Sequence, residues 1–250
     1  MRIDLNADVG ESLGAWSLGE DEALIPLVSS VNVAAGFHAG DPGTIARTIA
    51  LAARHGVAVG AHPGYPDLAG FGRRDMALTP ADIEAAVLYQ VGAVAAFARA
   101  AGVELRHVKA HGALYHRAST DPAAAAAIAR AVRAWSADVV LVGMAGSALA
   151  AAGHSAGLRV AEEAFADRAY EPDGTLRPRS RPGAVLDDPA DAAVQAVAIS
   201  AGYVPLEGGG RLAVRADTIC LHGDLPGAAG RVTAVRRALE AGGVEIAAPA

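Results

Sequence analysis

Lysine is almost absent from this chain: among 21 basic residues, only Lys109 is not arginine. Cysteine is as scarce, and with Cys220 alone no internal disulfide and no thiolate metal cluster can form. Aromatic residues make up 4% of the 250 positions. A core must therefore be built from Ala, Val, Leu and Ile, which the 52% hydrophobic content supplies. A net charge of −6 with mixed signs lacks the basic stripe of a nucleic-acid binder. No uninterrupted apolar run approaches the roughly 20 residues that span a bilayer. Nor does Met1-Arg2-Ile3-Asp4 open as a signal peptide does. These absences point to the cytoplasm, with neither nucleic acid nor membrane as partner. Motif absences narrow the chemistry further: there is no GxxxxGK[ST] phosphate loop, no GxSxG elbow and no HExxH zinc helix.

What is present is alternation. Short apolar runs at 2–7, 30–35, 57–61, 105–110, 139–144, 158–164 and 218–222 read as strands. Helical stretches lie at about 43–55, 80–101, 122–135, 146–153, 188–201 and 227–241. Asp41-Pro42, Thr79-Pro80 and Asp121-Pro122 each set a capping side chain before a proline suited to the first helical turn. Continuous apolar strands alternating with helices, with no boundary-like linker, predict one α/β domain over 1–250 with a parallel sheet buried on both faces. Two segments break the rhythm. Residues 203–215 read as a β-hairpin, and 166–187, rich in Arg, Pro and Gly, reads as a long excursion.

The polar residues favour a TIM-like barrel over an open sheet. Six of the seven strands run into chemically capable groups at their C-terminal ends, and a barrel gathers those ends at one mouth. Asn6 and Asp8 end the first strand, where Asp8 could act as a base, bind a cation or cap its loop. His38 and Asp41 lie in the Gly-rich loop 36–43, before a helix N-terminus suited to an anion, although Asp41 is first a helix cap. His62 is followed by Arg73 and Arg74, which fit carboxylate or phosphate recognition or else a solvated loop. Lys109 and His111 stand two residues apart. On a continuing strand they would share a face, and mutual proximity would depress both pKa values. Glu163, Asp167 and Arg168 lie beside the excursion, whose Arg177, Arg179 and Arg181 fit phosphate or an acidic partner, or else a solvated loop. His222 and Asp224 close the last strand. The solitary lysine implies a site that needs a compact ammonium rather than a guanidinium. The histidines and carboxylates could converge on a divalent metal, but no compact ligand motif fixes one.

Taken in order, DLNADVGE at 4–11, NVAAGFHAGDP at 32–42, GAHPGYPD at 60–67, GFGRRD at 70–75, VKAHGALY at 108–115, EEAFADRAY at 162–170 and TICLHGD at 218–224 resemble the LamB/YcsF lactam-utilisation family, which includes the A subunit of bacterial 5-oxoprolinase. The resemblance runs nearly end to end. The chain departs from the family pattern at Ala35 and Ala110, where Cys and Pro are common. The resemblance implies a seven-stranded parallel (β/α) barrel related to glycoside hydrolase and deacetylase barrels. It also implies ring opening of 5-oxo-L-proline to L-glutamate with ATP hydrolysis, in a complex with subunits B and C. ATP is the implied cofactor, and Mg2+ is a candidate companion. On that scheme Lys109 and Arg73 meet phosphate or carboxylate charge, His111 or His62 handles protons, and Asp8 orients water or a metal. The catalytic set is then Asp8, His38, His62, Lys109, His111 and His222. The binding set is Asn6, Asp41, Arg73, Arg74, Glu163, Asp167, Arg168 and Asp224. The alternatives are a metal-dependent deacetylase or amidohydrolase on the same barrel, or a non-catalytic binding subunit.

Overall fold

The computed structural model describes residues 1–224 and 226–249. Its strands and helices follow in chain order: β1 (Arg2–Val9), α1 (Asp21–Leu24), β2 (Ser30–Ala34), α2 (Pro42–Arg54), β3 (Ala58–His62), α3 (Pro80–Ala100), β4 (Leu105–Lys109), α4 (Gly112–Thr120), α5 (Pro122–Trp135), β5 (Val140–Met144), α6 (Ala148–Ser155), β6 (Val160–Phe165), α7 (Pro189–Ser200), β7 (Tyr203–Pro205), β8 (Arg211–Ala213), β9 (Thr218–Leu221), α8 (Ala228–Ala241) and β10 (Glu245–Ile246). Strands β1 to β6 pair in sequence, all parallel, and β9 pairs with both β6 and β1. The result is a closed TIM-like barrel of seven strands. β10 adds to β1 at Arg2 and Ile3, and β7 and β8 form the expected antiparallel hairpin.

Helix starts follow the capping chemistry. The Asp41 carboxylate accepts from the Thr44 N–H, Asp121 accepts from Ala123 and Ala124, and Thr79 with Asp82 forms a reciprocal capping box. Two helices, α1 and α4, lack such signals and fall outside the sequence-based expectation. His111 precedes α4 without a capping side-chain bond, so nothing in the local sequence announces a helix there. Helix α3 is long and apolar enough by composition to cross a bilayer, although Asp82, Glu84, Gln90 and Arg99 interrupt its apolar run. Here it buries Ile83, Val87, Val91, Val94 and Ala98 and packs against α5, β3 and β4.

The barrel interior is polar, unlike the branched-apolar filling usual in such barrels. On β1, Leu5 and Ala7 join the main apolar cluster, while the alternate residues Asp4, Asn6 and Asp8 make buried hydrogen bonds across the barrel. Asp4 accepts from the hydroxyls of Ser29 (2.7 Å), Ser30 (2.9 Å) and Thr218 (2.6 Å). The Asn6 amide donates to Glu163 and Thr218, and Asn32 donates to Asn6 and Asp8.

Burial lifts the Asp4 carboxyl to about 6, above its ordinary 3.8. The folded state therefore holds this proton where the unfolded chain has released it. The associated stability is complete below the unfolded value and is lost as pH rises through the folded one. From roughly pH 4 to pH 7 the native protein should lose about 3 kcal/mol more unfolding free energy than Asp4→Asn. Urea titrations of both proteins across that window check this, and parallel curves would refute it.

Candidate active site

A cavity of about 360 Å³ opens at the C-terminal strand ends. Asp8, His62, Lys109, His111 and His222 line it, with Arg73 and Arg168. These come from β1, β3, β4, β6, β9 and the loops that follow them, so closure of the barrel brings together residues far apart in sequence. The excursion after β6 covers one side. It is already folded in the single chain through bridges between Arg168 and Val185 and between Tyr170 and Leu176, and it sets Leu176, Pro178 and Arg179 into the wall.

Lys109 is the hub. Its ammonium lies 2.9 Å from Glu163 Oε1, 3.1 Å from Asp8 Oδ1, 3.3 Å from Asn6 Oδ1 and 3.0 Å from Cys220 Sγ. Burial alone would pull its pKa down, but the Asp8 and Glu163 carboxylates more than offset that and hold it well above the ordinary value. This corrects the expectation that Lys109 and His111 depress one another. The carboxylates decide the lysine, whereas burial, then His38 and His62, push His111 well below its usual range. β4 also ends at Lys109, so His111 belongs to the loop rather than to a continuing strand. Burial would raise Asp8, yet His62 and Lys109 keep its carboxyl well below the usual range. Beneath them Glu163 is fully buried and accepts from the Tyr115 hydroxyl at 2.7 Å.

His222 is fixed by Asp167, which accepts from its backbone N–H (2.9 Å) and approaches its Nδ1 at 3.0 Å. Burial would raise Asp167, but His222 and then Arg168 draw it down to about 2. Arg168 is buried and anchors the excursion, donating to the carbonyls of Ala184 and Arg177. Its pKa falls to about 10, first through burial and then through the neighbouring Arg179. Arg73 pairs with Asp224 at 2.7 Å on the rim.

Asn6, Glu163, Asp167 and Asp224 back the lining residues rather than forming the wall, and three further expected site residues are elsewhere. Asp41 caps α2 and also accepts from the Gly14 N–H, outside the cavity lining. Arg74 is spent on Asp67. Of loop 36–43 and the Arg73–Arg74 pair, only Arg73 reaches the cavity. His38 does not line the cavity, because its ring stacks face to face behind His111, with centroids 3.7 Å apart. Of Arg177, Arg179 and Arg181 only Arg179 reaches the wall. Arg177 pairs with Glu171 and Glu207, and Arg181 lies exposed near Glu171.

Sequence reading misses Glu11, Asn32, His107, Tyr115 and Cys220. The cysteine reads as part of an apolar strand, but its sulfur faces the Lys109 ammonium. Tyr115 carries a usable signal, being one of few aromatics and standing four residues after His111. Glu11, three residues after Asp8, carries another.

The LamB/YcsF family model matches residues 3–250. The chain belongs to the LamB/YcsF family. It is 56% identical over 247 residues to a Methylococcus capsulatus protein named as the A subunit of 5-oxoprolinase, covering 98% of this chain and 95% of that one. A Thermus thermophilus protein of the same name is 53% identical, with 99% and 100% covered. The crystal structure of a lactam utilization protein from Thermus thermophilus superposes with a TM-score of 0.94 at 52% identity over the whole of both chains.

Proposed function

We propose that this chain is the barrel subunit of an ATP-dependent 5-oxoprolinase, opening 5-oxo-L-proline to L-glutamate with subunits B and C as partners and ATP as co-substrate. The near full-length identity to proteins named as the A subunit of that enzyme carries the reading. The cavity fits it. At about 360 Å³ it sits at the small end of ligand pockets, suited to a compact lactam acid. A five-membered lactam is a nearly unstrained amide, so water attacks it slowly. Phosphorylating the amide oxygen activates the carbon: water adds to it, the ring C–N bond breaks as nitrogen takes a proton, and a second water releases phosphate from the resulting acyl phosphate. Such chemistry needs cations for a carboxylate and a phosphoryl group, and a base for water. Arg73, Arg168 and Arg179 share the cavity wall, where burial first and their mutual repulsion second lower Arg168 and Arg179, which suits a place made for an anion. Lys109 adds a charge from below. Asp8, kept ionised, is placed to take the proton of water, and His222, oriented by Asp167, to return one to the ring nitrogen.

The test is glutamate release from 5-oxoproline by this chain mixed with candidate partner subunits. Release should require this chain, the partners and ATP together. Release without ATP would establish a stand-alone amidohydrolase instead, and no release from the complete mixture would overturn the proposal.

A further inference from the structure

As neutral rings, His62 and His111 meet through nitrogens that have no proton to share. His62 Nδ1 lies 2.8 Å from the Lys109 carbonyl oxygen, and His111 Nε2 lies 2.8 Å from that of Phe71. A carbonyl only accepts, so each of these nitrogens must carry its ring's proton. The other two nitrogens, His62 Nε2 and His111 Nδ1, then face each other lone pair to lone pair at 3.1 Å. Such a contact is repulsive unless something positive lies between them.

Behind the pair, His38 is buried with no hydrogen-bond partner on either ring nitrogen. Nε2 of His38 and Nδ1 of His111 each lie 3.9 Å from Oε1 of the buried Glu11. One ligand atom from each of Glu11, His38, His62 and His111 falls within 4.8 Å of all the others. A proton on His62 Nε2, which also lies 3.4 Å from Asp8 Oδ2, would relieve the repulsion but would leave His38 orphaned. A shared cation answers both observations.

The geometry points to a divalent transition-metal site formed by Glu11, His38, His62 and His111, set in the wall of the cavity. With metal–nitrogen bonds of about 2.0–2.1 Å, two nitrogens on one tetrahedral ion stand roughly 3.3 Å apart, close to the spacing found here. The carbonyl partners of His62 and His111 are those that ligating histidines use to fix their tautomer. Three imidazoles with one carboxylate suit Zn2+, Co2+ or Ni2+, whereas Mg2+ prefers oxygen ligands. His38 now lies flat against His111 with the rings 5° from parallel, so its ring must turn to share the ion. It has no hydrogen bond to break in doing so.

Binding rather than turnover tests this, so its outcome is separable from that of the 5-oxoprolinase reading. The chain is stripped with a chelator and titrated with Co2+, followed by visible absorption, and with Zn2+, followed by calorimetry. One equivalent should bind, with the visible bands of a nitrogen-rich Co2+ site. His111→Ala and the nearly isosteric Glu11→Gln, both checked for folding by circular dichroism, should weaken binding by more than about 100-fold. His55→Ala and His154→Ala, which remove exposed imidazoles, should not. Absence of binding to the stripped parent up to millimolar metal would overturn the inference. So would equal affinity in the parent and in folded Glu11→Gln.

Discussion

Lys109→Met is expected to abolish turnover in the reconstituted complex and to destabilise the barrel by about 3–5 kcal/mol, the usual cost of removing one partner from a buried ion pair. The two effects share a cause but can be separated. The ammonium sits between Asp8 and Glu163, both buried, and its loss leaves two carboxylates facing one another without compensation. Lys109→Met combined with Glu163→Gln removes one of those charges and should recover at least half of the lost stability, read from urea midpoints. Turnover, read as glutamate release, should stay absent in the double variant, because the positive charge under the cavity is still missing. A double variant that regained both would make Lys109 a structural counter-ion and nothing more. Lys109→Arg should not restore function either, since a planar fork cannot occupy a pocket that fits a point charge to four acceptors.

The central placement of Lys109 was legible because a chain that otherwise uses only arginine keeps one lysine, and keeps it in a strand. Its surroundings were not. Glu163 and Cys220 reach it only because β6 and β9 close the barrel, and strand order is a property of the fold rather than of any local segment. The barrel itself could be read from the placement of polar residues at strand ends. The polar interior could have been read too, since Asp4-Leu5-Asn6-Ala7-Asp8 alternates polar with apolar and Ser30-Val31-Asn32-Val33 on the next strand does the same. Helix caps were the most local signals and transferred best, at Asp41, Thr79 and Asp121. The same locality explains the misplacement of Asp41 and Arg74 in the site. Each is satisfied by a partner nearby in sequence, Thr44 for one and Asp67 for the other, and has nothing left to offer the cavity.

Gly60→Ala is expected to cost more than about 4 kcal/mol, the range reserved for a specific steric or network failure. Gly60 lies inside β3, and a glycine within a strand marks either a bulge or a close approach. Here it marks both. The β3–β4 register shifts between Val59 and Gly60, and the His107 ring then lies directly across Gly60. A Cβ there would stand 2.1 Å from His107 Nε2, inside any permissible contact. The ring has little freedom to retreat, because Nε2 donates to Asn32 Oδ1 at 2.8 Å, and Asn32 in turn donates to Asn6 and Asp8. Burial, aided by Lys109, drops the His107 pKa to about 3, so the ring is neutral and holds its single proton on that bond. Adding one methyl group therefore sets the backbone of β3 against the network that fixes Asp8 and Lys109. Removing the obstacle should relieve it: Gly60→Ala with His107→Ala should be more stable than Gly60→Ala alone, although the second change loses a buried hydrogen bond of its own. Urea unfolding of the parent, both single variants and the double variant closes the cycle. A Gly60→Ala protein within about 1 kcal/mol of the parent would show that the ring can move aside and that the network does not hold it.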